Sequence, residues 1–292
     1  MAESRKRRGS SGGDATRDDD LLAEGKEEFD RCAEAESDNR RDAEADIEFA
    51  ILEKQWPEKV RKDRELEGRP CLTINKLKQH VQQVVNDARQ NKPSIKTRPV
   101  DSAADPDTAE IMNGLIRNIE QSSNAEVAYD TAAEHAISGG FGYFRIAIAY
   151  AHDDTFDKEL QIKRVANQFS VYGDPDSTEA DSADWNRAFV TELLPKRIFR
   201  KRYKGAAEVD WDELGYNDLQ APWRDGEDIL VAEWWRREEV TRPILLLSNG
   251  TIVSADDYER DRGIFEAAGL AVEAERETRS FKVTQRIVTG AE

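Results

Sequence analysis

The sequence predicts an α+β protein, with amphipathic helices in its first half and a mostly antiparallel, β-rich second half. Three observations carry that expectation. From Ile74 onward apolar residues recur on a helical period. At FRIAIAY, Phe144–Tyr150, the period drops to that of a strand. Asn249-Gly250 then stands between two apolar runs, a strong hairpin signal when both turn residues take positive φ.

Residues 1–20 combine RKRR, a Ser/Gly run and DDD, too little apolar surface to offset the entropy of ordering, and are expected to form a disordered basic/Gly-Ser arm. Residues 21–68 read as a long charged helical segment with sparse apolar positions at Leu22, Phe29, Ile47 and Ile51. Trp56-Pro57 should end or bend it, because proline removes an amide and clashes with the preceding turn.

Residues 69–138 read as a three-helix segment. The first helix places Ile74, Leu77, Val81, Val84, Val85 and Ala88 on one stripe and is expected to stop at Pro93. The second follows DPDTAE, with Pro106 suited to a first turn, and is expected to bury Met112, Leu115, Ile116 and Ile119. A capping box at Ser123-Asn124-Ala125-Glu126 is expected to open the third, which runs to Ser138. In residues 139–292, LQIKRVAN, FSVYGDP, Ala188–Leu193, DILVAEWWRREEV and RPILLLSNGTIVS read as strands. A short helix near Asp256–Ala268 and a strand over Phe281–Val288 complete the region.

Composition narrows the function. The chain of 292 residues holds 43 Lys+Arg against 60 Asp+Glu, a formal charge of -17. Such a surface repels polyanions at long range, which argues against a tight DNA-wrapping protein while leaving transient contact open. No apolar run approaches the roughly 18 residues that span a bilayer, and no membrane role is expected. Cys32 and Cys71 have no metal-ligand spacing around them and read as free thiols.

The glycines of SGGFGY follow a helix and precede a strand, the reverse of the order that aims a helix N-terminus at phosphate. They read as backbone devices: Gly139-Gly140 close the helix, and Gly142 allows close approach. Asp153, Asp154, Asp174, Asp176 and Asp181 could be combined with His152 into a divalent-metal phosphoesterase site. Their turn contexts favour instead a backbone-bonding role. His80, His135 and His152 have no partner at relay spacing. No catalytic, cofactor-binding or metal residue is therefore assigned, and no cofactor is expected. A basic cluster from Lys196 to Lys204, interleaved with Phe199 and Tyr203, reads equally as a contact for phosphates or an acidic partner and as a solvated face.

Three blocks taken in order, QWPEKVRKDRELEGRPCLTINKLKQ onward, then SNAEVAYDTAAEHAISGGFGYFRIAIAY, then FSVYGDPDSTEADSADW, resemble the N-terminal portion of portal proteins of short-tailed double-stranded DNA phages. Beyond Trp185 the resemblance is looser, through VAEWWRREEV and LLLSNG, and Asn167-Gln168 stands where relatives usually carry Asn-Pro. The resemblance implies a homo-oligomeric ring of twelve subunits at one capsid vertex, through which double-stranded DNA is packaged and ejected without sequence-specific binding. It further implies a terminase large subunit, scaffolding and coat proteins and head-tail adaptor proteins as partners, residence in the virion after synthesis in host cytoplasm, and no enzymatic activity. By the same resemblance the segments for stem, clip and crown are expected to be missing and what remains resembles mainly the wing; the ending VTGAE is read as that of a truncated frame from a prophage or metagenome, an inactive fragment being the alternative reading.

Overall fold

The structure, a computed structural model, describes residues 12–51, 54–91, 94–100, 105–179, 181–206 and 228–289. Arg5–Arg8 and Pro93 lie outside them. Helices α1 (Gly12–Ala50), α2 (Glu58–Leu66), α3 (Leu77–Gln90), α4 (Pro106–Ser122) and α5 (Ala125–Gly139) are followed by β1 (Phe144–Tyr150), β2 (Lys158–Arg164) and a 3-10 turn at Gln168–Ser170. Then come β3 (Val171–Tyr172), β4 (Arg187–Pro195), α6 (Lys196–Arg202), β5 (Asp228–Leu247), β6 (Ile252–Ser254), α7 (Ala255–Arg260), α8 (Arg262–Ala267) and β7 (Val272–Val288). The protein is α+β.

Two departures concern where elements begin. Helix α1 starts at Gly12, within the segment expected as a disordered arm. The chain also does not divide at residue 139: the compact units are residues 1–32 with 172–292, and residues 33–171. Strands β1 and β2 thus belong with the helices, because the chain turns straight back from α5 onto that helix.

In the unit of residues 1–32 and 172–292, β4 pairs antiparallel with β5, Phe189 opposite Trp234 and Leu194 opposite Ile229. The other edge of β5 takes β7 along its length, from Ala232↔Val288 to Leu247↔Val272. Trp234, Tyr172, Phe29, Phe189, Phe199, Ile229 and Leu247 are fully buried. Phe29 of α1 meets Tyr172 at 4.7 Å and Phe189 at 5.2 Å between ring centroids, and Trp234 donates from Nε1 to Glu28 at 2.9 Å. Aromatic pairs at such spacings add about 0.5–1.5 kcal/mol beyond the area they bury.

Strand β5 runs through Pro243 without a break, and β7 is far longer than the expected Phe281–Val288. Between the segments paired to β4 and β6, β5 has an open edge, so a missing amide at Pro243 is tolerated. The first half of β7 is charged on both faces and shows no apolar alternation. Its pairing to β5 is supported by cross-strand contacts such as Arg279–Glu239 at 3.3 Å. The hairpin at Asn249-Gly250 forms with a different turn from the one expected: Gly250 alone has positive φ, at 82°, with its amide bonded to Leu247 O at 2.8 Å. A three-residue loop with glycine in the left-handed position replaces the two-residue turn. The expected helix over Asp256–Ala268 is broken at Asp261 into α7 and α8.

In the unit of residues 33–171, Asp105 caps α4, accepting from the amides of Asp107 and Thr108, with Pro106 in the first turn. The expected capping box does not form. Asn124 precedes α5 with φ 51° and makes no side-chain cap bond, because a left-handed residue is what reverses the chain within the two-residue link after Ser122. A box requires an extended N-cap. The apolar stripes are only partly covered. On α3 Val85 is buried, while Leu77 and Val84 are exposed, and Met112 and Leu115 of α4 are exposed as well.

Candidate functional site

The stretch Ser138–Tyr150 positions the most unusual surface of the molecule. Helix α5 ends as Gly140 takes φ 86° and returns its amide to Ala136 O at 3.0 Å. Two residues later a Cβ on Gly142 would stand 2.0 Å from the carbonyl oxygen of Ala132, so only glycine lets the chain fold back on the helix this closely. Tyr143 is drawn inward beside Glu36 and Arg40, and burial, reinforced by the Glu36 carboxylate, pushes its phenol up to about 12. The strand that follows pairs with β2 in the register Ile146↔Ile162 and Ile148↔Leu160.

That register sets the apolar side chains on the outer face. Ile146 and Ile148 are 65% and 69% exposed and Leu160 44%, with Phe144 and Tyr150 also open to solvent. Across the ribbon, Arg145, Ala147, Ala149, Glu159 and Gln161 are half-buried. A strand pair with one covered face normally hides its apolar side, and here the order is reversed. Contiguous exposed apolar surface of this kind marks an interaction site.

The carboxylates considered for metal chemistry are engaged otherwise. Asp174 accepts from the amides of Asp176 at 3.1 Å and Asn186 at 2.8 Å. Asp176 pairs with Arg31 at 2.6 Å, and Asp181 accepts from Ala183 N at 3.1 Å. Asp184, which carries no distinguishing signal in the sequence, takes the hydroxyl of Ser177 and the amides of Thr178 and Glu179, and these donors hold its carboxyl far below the usual range. Asp153 and Asp154 lie with His152 in the β1–β2 turn. Among the described residues no group of three or more His, Cys, Asp or Glu is placed to hold a metal ion. Asp174, Asp181 and Asp184 thus accept from backbone amides as turn aspartates do.

A cavity of about 430 Å³ opens beside Ile47, Ile51, His135, Ser138, Arg164 and Gln168. It assembles no relay. Ser138 Oγ is bonded to Glu134 O at 2.7 Å within its own helix, and His135 Nδ1 has no hydrogen-bond partner among the described residues. Burial lowers the His135 pKa and Arg164 acts in the same direction, while Glu134 opposes them. Nothing in the sequence signals the buried cation Arg40, 3% exposed, which donates to Phe169 O at 2.7 Å, to Val171 O and to Glu36. Its charge looks like any other on a charged helix until the carbonyls that receive it are known. Among the described residues no helix is long and apolar enough to cross a membrane.

Sheet, turns and outward apolar ribbon define an α+β protein whose distinctive features are surfaces. Residues 26–292 match the Phage P22-like portal protein family, and the chain belongs to that family. It is 24% identical over 210 residues to the portal protein of Acyrthosiphon pisum secondary endosymbiont phage 1, an alignment that covers 68% of this chain and 28% of that protein. The chain thus spans less than a third of that relative's length.

Proposed function

We propose that the chain is the wing portion of a portal subunit, which closes with its copies into a ring at the unique capsid vertex and serves head assembly, DNA packaging and DNA ejection. Family membership supplies the class, and the outward ladder of Ile146, Ile148 and Leu160 is the observation that carries assembly. Removing such a face from water favours association by roughly 25 cal/mol per Å² of apolar area. A closed ring gives every copy the same neighbours. Twelve subunits, with terminase, scaffolding, coat and adaptor proteins as further partners and the virion as location, complete the reading. Duplex DNA passes along walls that repel it, because the chain carries a net charge of -17. The protein performs no catalysis in this account, and ATP hydrolysis falls to the terminase.

Light scattering and native mass spectrometry on the full chain test the proposal. A concentration-dependent closed oligomer is expected, and a monomer at every concentration would overturn ring formation. A magnesium- or manganese-dependent nuclease activity, lost in Asp174→Asn, would instead favour the phosphoesterase.

A further inference from the structure

The basic cluster of α6 is placed against its own local rules. Lys196 and Arg197 occupy the first turn, where cations oppose the helix dipole, and no acid accompanies them there. Arg197 and Lys201 stand four residues apart, as do Lys196 and Arg200, and like charges at that spacing repel by a few tenths of a kcal/mol per pair. Arg202 is answered within the fold, by Glu192 at 2.7 Å. Arg197, Lys201 and Lys204 are exposed and have no ion pair among the described residues, on a chain where acids outnumber bases 60 to 43.

The helix is held firmly enough to present this charge. Phe199 is fully buried with Leu194, Ile229 and Val231, and Tyr203 packs on that cluster, its ring 5.3 Å from Phe199. At 100° per residue, burying Phe199 turns Arg197 and Lys201 to the opposite face, with Arg200 beside them. The two outermost cations are separated by about 6 Å along the axis, a step that covers about two phosphates of one DNA strand. Lys204 continues the row past the helix.

We propose that α6 is a contact for the sugar-phosphate backbone of duplex DNA, made by Arg197, Lys201 and Lys204 without reading bases. The choice over an acidic protein rests on what the helix lacks. Its one exposed apolar side chain is Ile198, at 39%, whereas a protein interface needs an apolar or aromatic centre. Phosphates need only positioned donors and charge. The surrounding acidity keeps the contact weak and short-ranged, which suits DNA that must keep moving. The inference takes its partner from the portal reading, while its test needs no ring.

The experiment titrates the full chain into a fluorescently labelled 30-base-pair duplex and follows anisotropy at several salt concentrations. Saturable binding is expected, with a dissociation constant on the order of 10–100 µM near physiological salt and tighter as salt falls. Arg197→Gln/Lys201→Gln should weaken it at least tenfold and reduce the salt slope by about 2, close to 0.9 for each phosphate left without its cation. The same variant should melt no lower than the parent, since it relieves repulsion. Should it misfold, Lys204→Glu, outside the helix, gives a second reading with the same expected direction. No binding by the parent at low salt, or equal binding by both variants, would overturn the proposal, as would a preference for polyglutamate or anionic vesicles over duplex. An oligomer that ignores DNA refutes this contact and spares the ring, whereas a monomer that binds DNA does the reverse.

Discussion

The two compact units of this chain solve the problem of burial in opposite ways. The unit of residues 1–32 and 172–292 surrounds its sheet with aromatic rings, and Trp234, Tyr172, Phe29 and Phe189 all reach full burial. Residues 33–171 form a unit in which Val85 is the largest fully buried side chain among the described residues, while isoleucines and leucines of β1, β2, α3 and α4 meet solvent. Beside small buried apolar residues such as Val85, Ala125 and Ala128 it has polar and backbone devices: Arg40 on two carbonyls, Asn113 exchanging bonds with the Thr97 backbone at 2.6 and 3.1 Å, and Gly142 against Ala132. One unit hides its largest apolar side chains in its own core, and the other leaves many of its own exposed, the face that the proposed assembly would cover.

The sharpest way to break this contrast is to remove the aromatic centre. Trp234→Ala should cost about 3–5 kcal/mol, because the indole packs beside Phe189 at 6.1 Å and its Nε1–H leaves the Glu28 carboxylate unanswered. Urea unfolding followed by far-UV circular dichroism measures it. A loss below about 1 kcal/mol would mean the sheet core is not the main support of its unit. Arg40→Met is the corresponding cut in the other unit and should cost about 3 kcal/mol, since Phe169 O and Val171 O lose their donor. If the variant is as stable as the parent, that unit is not held by polar contacts.

How much of the molecule is legible in its sequence follows the same line. Periodicity locates α3, α4 and β1 because each alternation or stripe is written in the side chains themselves, and the order of helix then strand gives the role of the glycines after α5. Periodicity cannot say whether a stripe meets its own chain or another. Leu77, Val84, Met112 and Leu115 are therefore expected inside and are found outside. The length of β7 is hidden because residues such as Glu275, Arg276, Glu277 and Arg279 carry no apolar alternation, and only pairing with β5 makes them a strand. The turn aspartates are legible as turn formers, while Arg40 is not, since its partners lie about 130 residues away in sequence.

A surface substitution tests the second half of the contrast from the other side. Ile148→Ser should change the stability of the isolated chain by less than about 0.5 kcal/mol, as expected of an exposed site. In combination with Leu160→Ser, its cross-strand partner, it should shift the association midpoint to higher protein concentration. Analytical ultracentrifugation reads both species. Unchanged association would mean that the ribbon is not the assembly face.

The smallest expected effect concerns protons. Because burial lowers the His135 pKa below its ordinary value near 6.5, the unfolded chain binds this proton more readily than the folded one. Stability should then be highest with His135 neutral and decline as pH falls through 6.5 toward the lowered folded value. Glu134, which favours the charged form, is itself drawn to Arg89 at 3.6 Å, so its relief is shared and the decline stays modest. His135→Phe should flatten the melting temperature between pH 7 and 5 if this imidazole carries the slope. A slope unchanged by the substitution would assign it to other groups and leave the cavity beside His135 without a titrating wall.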